Sequence, residues 1–163
     1  MKKKVALIMG SKSDLPVVQK AKQVLNQFGV DVDMRVISAH RTPYEAIAYA
    51  ETAKENGIEV LIAAAGKAAH LAGVLAGITP LPVIGIPIKS SFGDGLDSLL
   101  SVVQMPKGVP VACMAVDGAE NAAYFAIQIL ALKYPDLMEK YIAYKEEMRE
   151  DVLKQDGEIQ AFS

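Results

Sequence analysis

Cysteine is almost absent from this chain: Cys113 is the only one among 163 residues. A single cysteine excludes an intrachain disulfide and a cysteine-rich metal site. Cys113 lies in an apolar stretch, residues 109–116, where we expect a small, buried hydrophobic side chain. The chain has only two histidines, and no carboxylates cluster near them at ligand spacing, so we expect no metal site.

An excess of charge of one sign and a long hydrophobic run are missing as well. The formal net charge is −2, which gives no general attraction to nucleic acid or to an anionic membrane, so an anionic ligand must be held by a local site. The lysines at positions 2–4 are followed by an apolar run of residues 5–9 only, too short for an export signal or a membrane span. We therefore expect a cytoplasmic protein with no nucleic-acid or membrane partner.

Short apolar runs alternate with amphipathic stretches along the chain, whose length suits a single domain, residues 1–163. The runs predict strands at 5–9, 32–37, 58–64, 83–86 and 109–116, and the stretches predict helices at 14–28, 43–56, 68–76, 96–103 and 119–132. Strict alternation predicts a three-layer α/β/α core, residues 1–133, with a parallel sheet between helices. The chain length favours a flavodoxin-like order of five strands over a dinucleotide-binding order.

A charged helix is predicted after this core, at about residues 136–154, within a C-terminal segment 134–163. Its apolar stripe consists of Leu137, Tyr141, Tyr144, Met148 and Val152. The stripe either folds back on its own domain or packs on another subunit. We favour the second arrangement because both faces of the sheet already have covering helices.

The first polar strand end is the segment from Gly10 to Asp14. Ligands of doubly wound folds bind outside the carboxyl ends of the strands. Gly10 permits a tight turn, and the following backbone N–H groups, with the hydroxyls of Ser11 and Ser13, favour an anion. Asp14 would repel a phosphate and is better suited to accept hydrogen bonds from sugar hydroxyls. The alternative is that Ser13 or Asp14 only caps the helix.

The second polar strand end runs from Ser38 to Pro43. His40 can gain or lose a proton near neutral pH, and Arg41 is a permanent cation suited to phosphate. The alternative is a surface loop in which Thr42 caps the next helix.

The third strand end is the small-residue loop around Gly66, where the backbone can approach a ligand closely. His70 follows in this loop, either as a ligand contact or as an ordinary helix residue.

Several strings along the chain resemble the family of N5-carboxyaminoimidazole ribonucleotide mutases, which act in bacterial purine biosynthesis. They are Met9-Gly10-Ser11-Lys12-Ser13-Asp14, Ser38-Ala39-His40-Arg41-Thr42-Pro43, Ala68-Ala69-His70-Leu71, Pro82-Val83-Ile84-Gly85-Ile86-Pro87 and the run from Asp97 to Pro106. The resemblance covers residues 9 to about 132. It implies a three-layer α/β/α core, a homo-octamer that exchanges C-terminal helices, and a reaction without a cofactor that passes through carbon dioxide.

The resemblance also implies roles for individual residues. Ser11, Asp14 and Arg41 would contact the ribonucleotide, with its phosphate near Arg41 and the serines and its ribose near Asp14. His40 would be the proton shuttle. The remaining candidates for substrate binding are Ser13, Ser38, Gly66 and His70.

The third loop departs from the family pattern at two positions. Lys67 stands where the family usually has glycine, and Ala72 where it usually has proline. The Lys67 side chain could reach a carboxylate or phosphate of the substrate, or point to solvent.

Two other functions remain open. A related carboxylase adds carbon dioxide directly to aminoimidazole ribonucleotide, but Arg41 and the string Ala68-Ala69-His70 favour the mutase. A non-catalytic flavodoxin-like module that binds a mononucleotide or flavin would share the fold. The strand-end loops contain no aromatic residue to stack a flavin ring, which argues against that module.

Overall fold

The computed structural model describes residues 3–162, so Met1, Lys2 and Ser163 of the expected single domain lie outside the described residues. Five parallel strands form one sheet in the order β2-β1-β3-β4-β5, which is the flavodoxin-like order expected from the sequence. The strands are β1 Lys4–Met9, β2 Asp31–Val36, β3 Val60–Gly66, β4 Val83–Ile88 and β5 Ala112–Cys113.

Helices cover both faces of this sheet. They are α1 Leu15–Gln27, α2 Pro43–Thr52, α3 Leu71–Ala76, α4 Leu96–Val103, α5 Ala119–Ala131 and α6 Pro135–Gln160, with single 3₁₀ turns at Lys12–Asp14 and Gly93–Gly95. Strand β1 shows why two cores form: Val5, Leu7 and Met9 pack with α1 and α5, whereas Ala6 and Ile8 pack with α2 and α3. Alternate residues of a strand point to opposite faces, so a solid apolar strand serves both cores.

Strand β5 is shorter than the predicted strand at 109–116. Pro110 has no N–H to donate, and beyond Cys113 the pairing is irregular, with single bonds from Met114 N to Gly85 O (2.9 Å) and from Asp117 N to Pro87 O (2.9 Å). Because β5 is an edge strand, Cys113 is half-buried, and the expectation of a buried side chain was wrong. Burial still raises the pKa of its thiol.

Helix α3 begins at Leu71, three residues later than predicted. Residues 67–70 instead form two tight turns, in which Ala69 N donates to Lys67 O (2.8 Å) and His70 N donates to Ala68 O (2.9 Å). The loop after β3 is therefore longer at its carboxyl end than the sequence pattern suggested.

The apolar stripe of helix α6 has a buried part and an exposed part. Leu137 is fully buried, and Tyr141 and Tyr144 pack around Phe28, with ring centroids 6.5 and 6.1 Å away. Met148 and Val152 are 40% and 63% exposed. The first half of the helix thus folds back on its own domain, contrary to the arrangement we favoured, and only the second half is left uncovered by the described chain. Within residues 3–162, no helix combines the length and apolar character that crossing a membrane requires.

Candidate active site

A cavity of about 610 Å³ opens at the carboxyl edge of the sheet. The loops after β1, β2 and β3, which are neighbours in the sheet, form most of its wall. All eight residues proposed from the sequence line it: Ser11, Ser13, Asp14, Ser38, His40, Arg41, Gly66 and His70. The structure thus brings these three strand ends together around one cavity.

The loop after β1 brings two hydroxyls and one carboxylate together. Ser13 Oγ donates to Ser11 Oγ (2.9 Å) and lies 3.2 Å from Asp14 Oδ1, while Ser13 N donates to Ser11 Oγ (3.3 Å). Ser11 is thus the cap of the 3₁₀ turn. Asp14 precedes α1 but makes no side-chain capping bond, so helix capping does not account for its carboxylate.

Asp14 is one of the few buried polar residues, with 8% of its surface exposed. Its pKa is raised above the ordinary value of 3.8, mainly by burial and also by the negative charge of Asp117. Hydrogen bonds from Ser13 and the backbone of Ser11, and the Arg41 cation, act in the opposite direction without cancelling the effect of burial. A carboxylate held at this cost beside a cavity is a functional-site candidate.

The loop after β2 fixes Arg41 through its own residues. The guanidinium donates from Nη2 to Gly10 O (2.8 Å) and from Nε to Ser38 Oγ (3.3 Å), which ties the β2 loop to the β1 loop. Thr42 does not cap α2; its Oγ1 accepts from Ser38 N (2.9 Å) and donates to Ser38 O (3.0 Å). These bonds hold an exposed cation at the cavity in one orientation, as recognition of an anion requires.

The structure brings the two histidines into direct contact. His40 Nε2 lies 2.9 Å from His70 Nδ1, and the rings meet edge to face at 79°. Sequence reasoning proposed both residues but missed this pairing. Across the contact one nitrogen donates and the other accepts, so the rings share a single proton there.

The segment after β4 contributes two wall residues that sequence reasoning also missed, Lys89 and Ser90. The backbone N–H of Lys89 donates to Asp117 Oδ1 (2.9 Å), which holds this segment at the edge of the cavity. The signal was available, because Lys89 directly follows a buried parallel strand and so obeys the same strand-end rule as the other loops. Residues 3–162 contain no group of three or more His, Cys, Asp or Glu side chains arranged to hold a metal ion.

Fold and cavity together define a flavodoxin-like α/β protein with a polar, histidine-containing ligand site at the carboxyl edge of its sheet. Residues 4–151 match the family model described as AIR carboxylase. The chain belongs to this family.

Individual relatives agree with that assignment. An N5-carboxyaminoimidazole ribonucleotide mutase of Pyrococcus abyssi is 60% identical over 146 residues, which cover 90% of this chain and 84% of the relative. A chloroplastic phosphoribosylaminoimidazole carboxylase of Vigna aconitifolia is 47% identical over 96% of this chain but only 28% of its own length. The crystal structure of Treponema denticola PurE superposes with a TM-score of 0.87 at 25% identity, over 96% of this chain and 98% of that one.

Proposed function

We propose that the chain converts N5-carboxyaminoimidazole ribonucleotide to 4-carboxy-5-aminoimidazole ribonucleotide, an isomerisation in de novo purine biosynthesis. The observation that carries this proposal is the placement of a titratable histidine, His40, beside a fixed cation, Arg41, on one cavity. That pair is found in a chain 60% identical to a protein named as this mutase.

The chemistry requires one proton to be given and one to be taken. The substrate is a carbamate, and protonation of its nitrogen by the His40 imidazolium breaks the N–C bond and releases carbon dioxide. The aminoimidazole left behind is enamine-like, so its C4 attacks the carbon dioxide and forms the new C–C bond. Neutral His40 then removes the proton from C4 and returns to the imidazolium, which balances the cycle. Holding carbon dioxide beside the ring supplies the proximity that makes recapture fast.

His70 is the positioning residue for this shuttle. When His40 is an imidazolium, its Nε2–H donates to Nδ1 of a neutral His70, a charge-assisted bond supported by the 2.9 Å separation. No hydrogen bond within residues 3–162 engages Nδ1 of His40, so we assign that nitrogen to the substrate. The bond to His70 then fixes both the ring orientation and the position of the mobile proton.

The remaining groups bind the ribonucleotide. We assign the phosphate to Arg41 and to the hydroxyls of Ser11, Ser13 and Ser38, which line the same cavity. Asp14 accepts hydrogen bonds from the ribose hydroxyls, a role that justifies the burial of its carboxylate. Gly66, which packs against Ile88, supplies part of the cavity wall that we assign to the imidazole ring.

The assembly, the location and the absence of a cofactor are parts of the same proposal. We infer a homo-octamer in which the uncovered half of α6, bearing Met148 and Val152, packs on a neighbouring subunit. Each active site works without a cofactor, and the enzyme acts in the cytoplasm.

The test separates the mutase from the direct carboxylase. Purified protein is supplied either with the N-carboxylated substrate and no bicarbonate, or with aminoimidazole ribonucleotide and carbon dioxide. We expect product only from the first mixture at physiological substrate concentrations. Turnover of the second mixture alone would assign the carboxylase instead, and a yellow protein with bound flavin and no turnover of either would indicate a binding module.

A further inference from the structure

Lys67 has a backbone conformation that a lysine rarely adopts. Its φ is +56°, in the left-handed region. The other two non-glycine residues with positive φ among residues 3–162 are Asp94 and Asp117. Aspartate tolerates this region because its short polar side chain bonds locally, whereas lysine has no such compensation. A glycine would take the same conformation without steric cost.

The surrounding loop imposes this conformation. Lys67 O accepts from Ala69 N (2.8 Å) in the tight turn that leads to His70, and Ser101 Oγ of α4 lies 3.5 Å from the same oxygen. The strain therefore belongs to the turn after β3 and exists whichever side chain occupies position 67. A lysine at a strained position beside a cavity points to a role for its side chain.

Three cationic side chains line the cavity, and two of them are already engaged. The Arg41 guanidinium donates to Gly10 O and Ser38 Oγ, and Lys89 Nζ lies 3.0 Å from Asp94 Oδ1. The ammonium of Lys67 makes no hydrogen bond or ion pair with any residue between positions 3 and 162. It is therefore the only one of these three cations without a hydrogen-bonding or ion-pair partner among residues 3–162, whereas Arg41 keeps further N–H donors for the phosphate.

We propose that Lys67 binds the migrating carboxylate of the substrate, an assignment that rests on the function proposed above. Arg41 and the serines of the β1 and β2 loops are occupied by the phosphate in that placement. Lys67 instead shares its loop with His70, three residues further on, whose ring contacts the shuttle His40 at 2.9 Å. The carboxylate must lie within reach of His40, and with the phosphate assigned to Arg41 and the serines, Lys67 is the cation of this wall that remains for it.

This role predicts an effect on binding more than on turnover. The carboxylate is charged in the substrate and in the product but is neutral as carbon dioxide between them. An ammonium that pairs with it stabilises the bound ground states, so its removal raises KM and leaves kcat unchanged or higher.

Two substitutions separate the side chain from the backbone. Lys67→Met removes the charge and keeps the strained conformation, whereas Lys67→Gly removes both. Lys22→Met, at an exposed position of α1 away from the cavity, is the matched control. Binding is measured by titration calorimetry with 4-carboxy-5-aminoimidazole ribonucleotide and with aminoimidazole ribonucleotide, which carry the same ribose phosphate but differ in the carboxylate.

We expect both Lys67 variants to bind the carboxylated ligand about 10-fold more weakly, the scale of one exposed charge-assisted bond, and to bind the other ligand normally. Lys67→Gly should also melt at the same or a higher temperature, which a merely structural role of the lysine does not combine with weaker binding. Equal loss of affinity for both ligands, or no loss for either, would overturn the assignment of Lys67 but leave the proposed function standing. A wild-type protein that binds neither ligand would overturn the proposed function, and this assignment with it.

Discussion

The contact between His40 and His70 leads to a prediction about how two substitutions combine. His40→Asn preserves size and some hydrogen bonding but removes the group that exchanges protons with the substrate. His70→Asn leaves the shuttle in place, and its side-chain oxygen can still accept from the His40 Nε2–H that now faces His70 Nδ1 at 2.9 Å. The two variants should therefore lose different amounts of activity.

The expected loss of kcat in each variant follows from the role of the replaced histidine. Loss of a general acid–base costs roughly 10²-fold or more in kcat, equivalent to about 2.7 kcal/mol of transition-state stabilisation. His70→Asn should lower kcat by roughly 10-fold, because it weakens the orientation of His40 but does not abolish proton transfer. Since His70 acts only through His40, the double variant should be no slower than His40→Asn alone.

The test is a double-mutant cycle that compares the steady-state rates of the wild type, both single variants and the double variant. Titration calorimetry shows whether each variant still binds ligand. Independent contributions would multiply, and the double variant would then be slower than His40→Asn by the full cost of His70→Asn. That additivity would refute the claim that His70 is a positioning residue. An active His40→Asn enzyme beside an inactive His70→Asn enzyme would exchange their roles.

Three further predictions concern other parts of the site and the assembly. Arg41→Ala should raise KM before it lowers kcat, because the lost fork binds phosphate, and normal KM in steady-state assays would contradict this. Asp14 has a raised folded pKa, so the stability it contributes is complete below its ordinary value of 3.8 and is lost as pH rises through the folded pKa. Asp14→Asn should therefore raise the melting temperature at neutral pH while weakening ligand binding; a lower melting temperature there would contradict the burial argument. Removal of residues 147–163 should reduce the assembly in light scattering yet keep the domain folded, because buried Leu137 remains, and an unchanged mass would exclude an assembly role for the uncovered half of α6.

The fold was predictable because apolar runs and strict alternation leave few arrangements. Buried strands such as β3 and β4 are continuous apolar segments in the sequence. Five such segments in a chain of this length favour the flavodoxin-like strand order, which the structure shows. The edge strand β5 was overpredicted because hydrophobicity does not show where Pro110 and the turn at Asp117 interrupt pairing. The fold-back of α6 was one of two arrangements considered but not the favoured one, because the rings of Phe28 and Tyr144, from distant parts of the chain, meet only in the folded protein.

The candidate site was predictable as a set of residues, since the strand-end rule gathers the loops after β1, β2 and β3 at one edge. Its internal geometry was not. The bond between His40 and His70 joins residues 30 positions apart, and the left-handed conformation of Lys67 depends on two tight turns that replace the start of the predicted helix. These features arise from tertiary placement and not from local pattern.

The most direct test of the central claim follows the carboxyl carbon. Substrate labelled with ¹³C in its carbamate is converted in buffer that contains unlabelled bicarbonate, and the product is examined by mass spectrometry. Because the released carbon dioxide is recaptured at C4 before it escapes, we predict that the product keeps the label. A product whose carboxylate carries the unlabelled carbon of the buffer would contradict it, since the chain would then be adding free carbon dioxide instead of moving a bound carboxyl group.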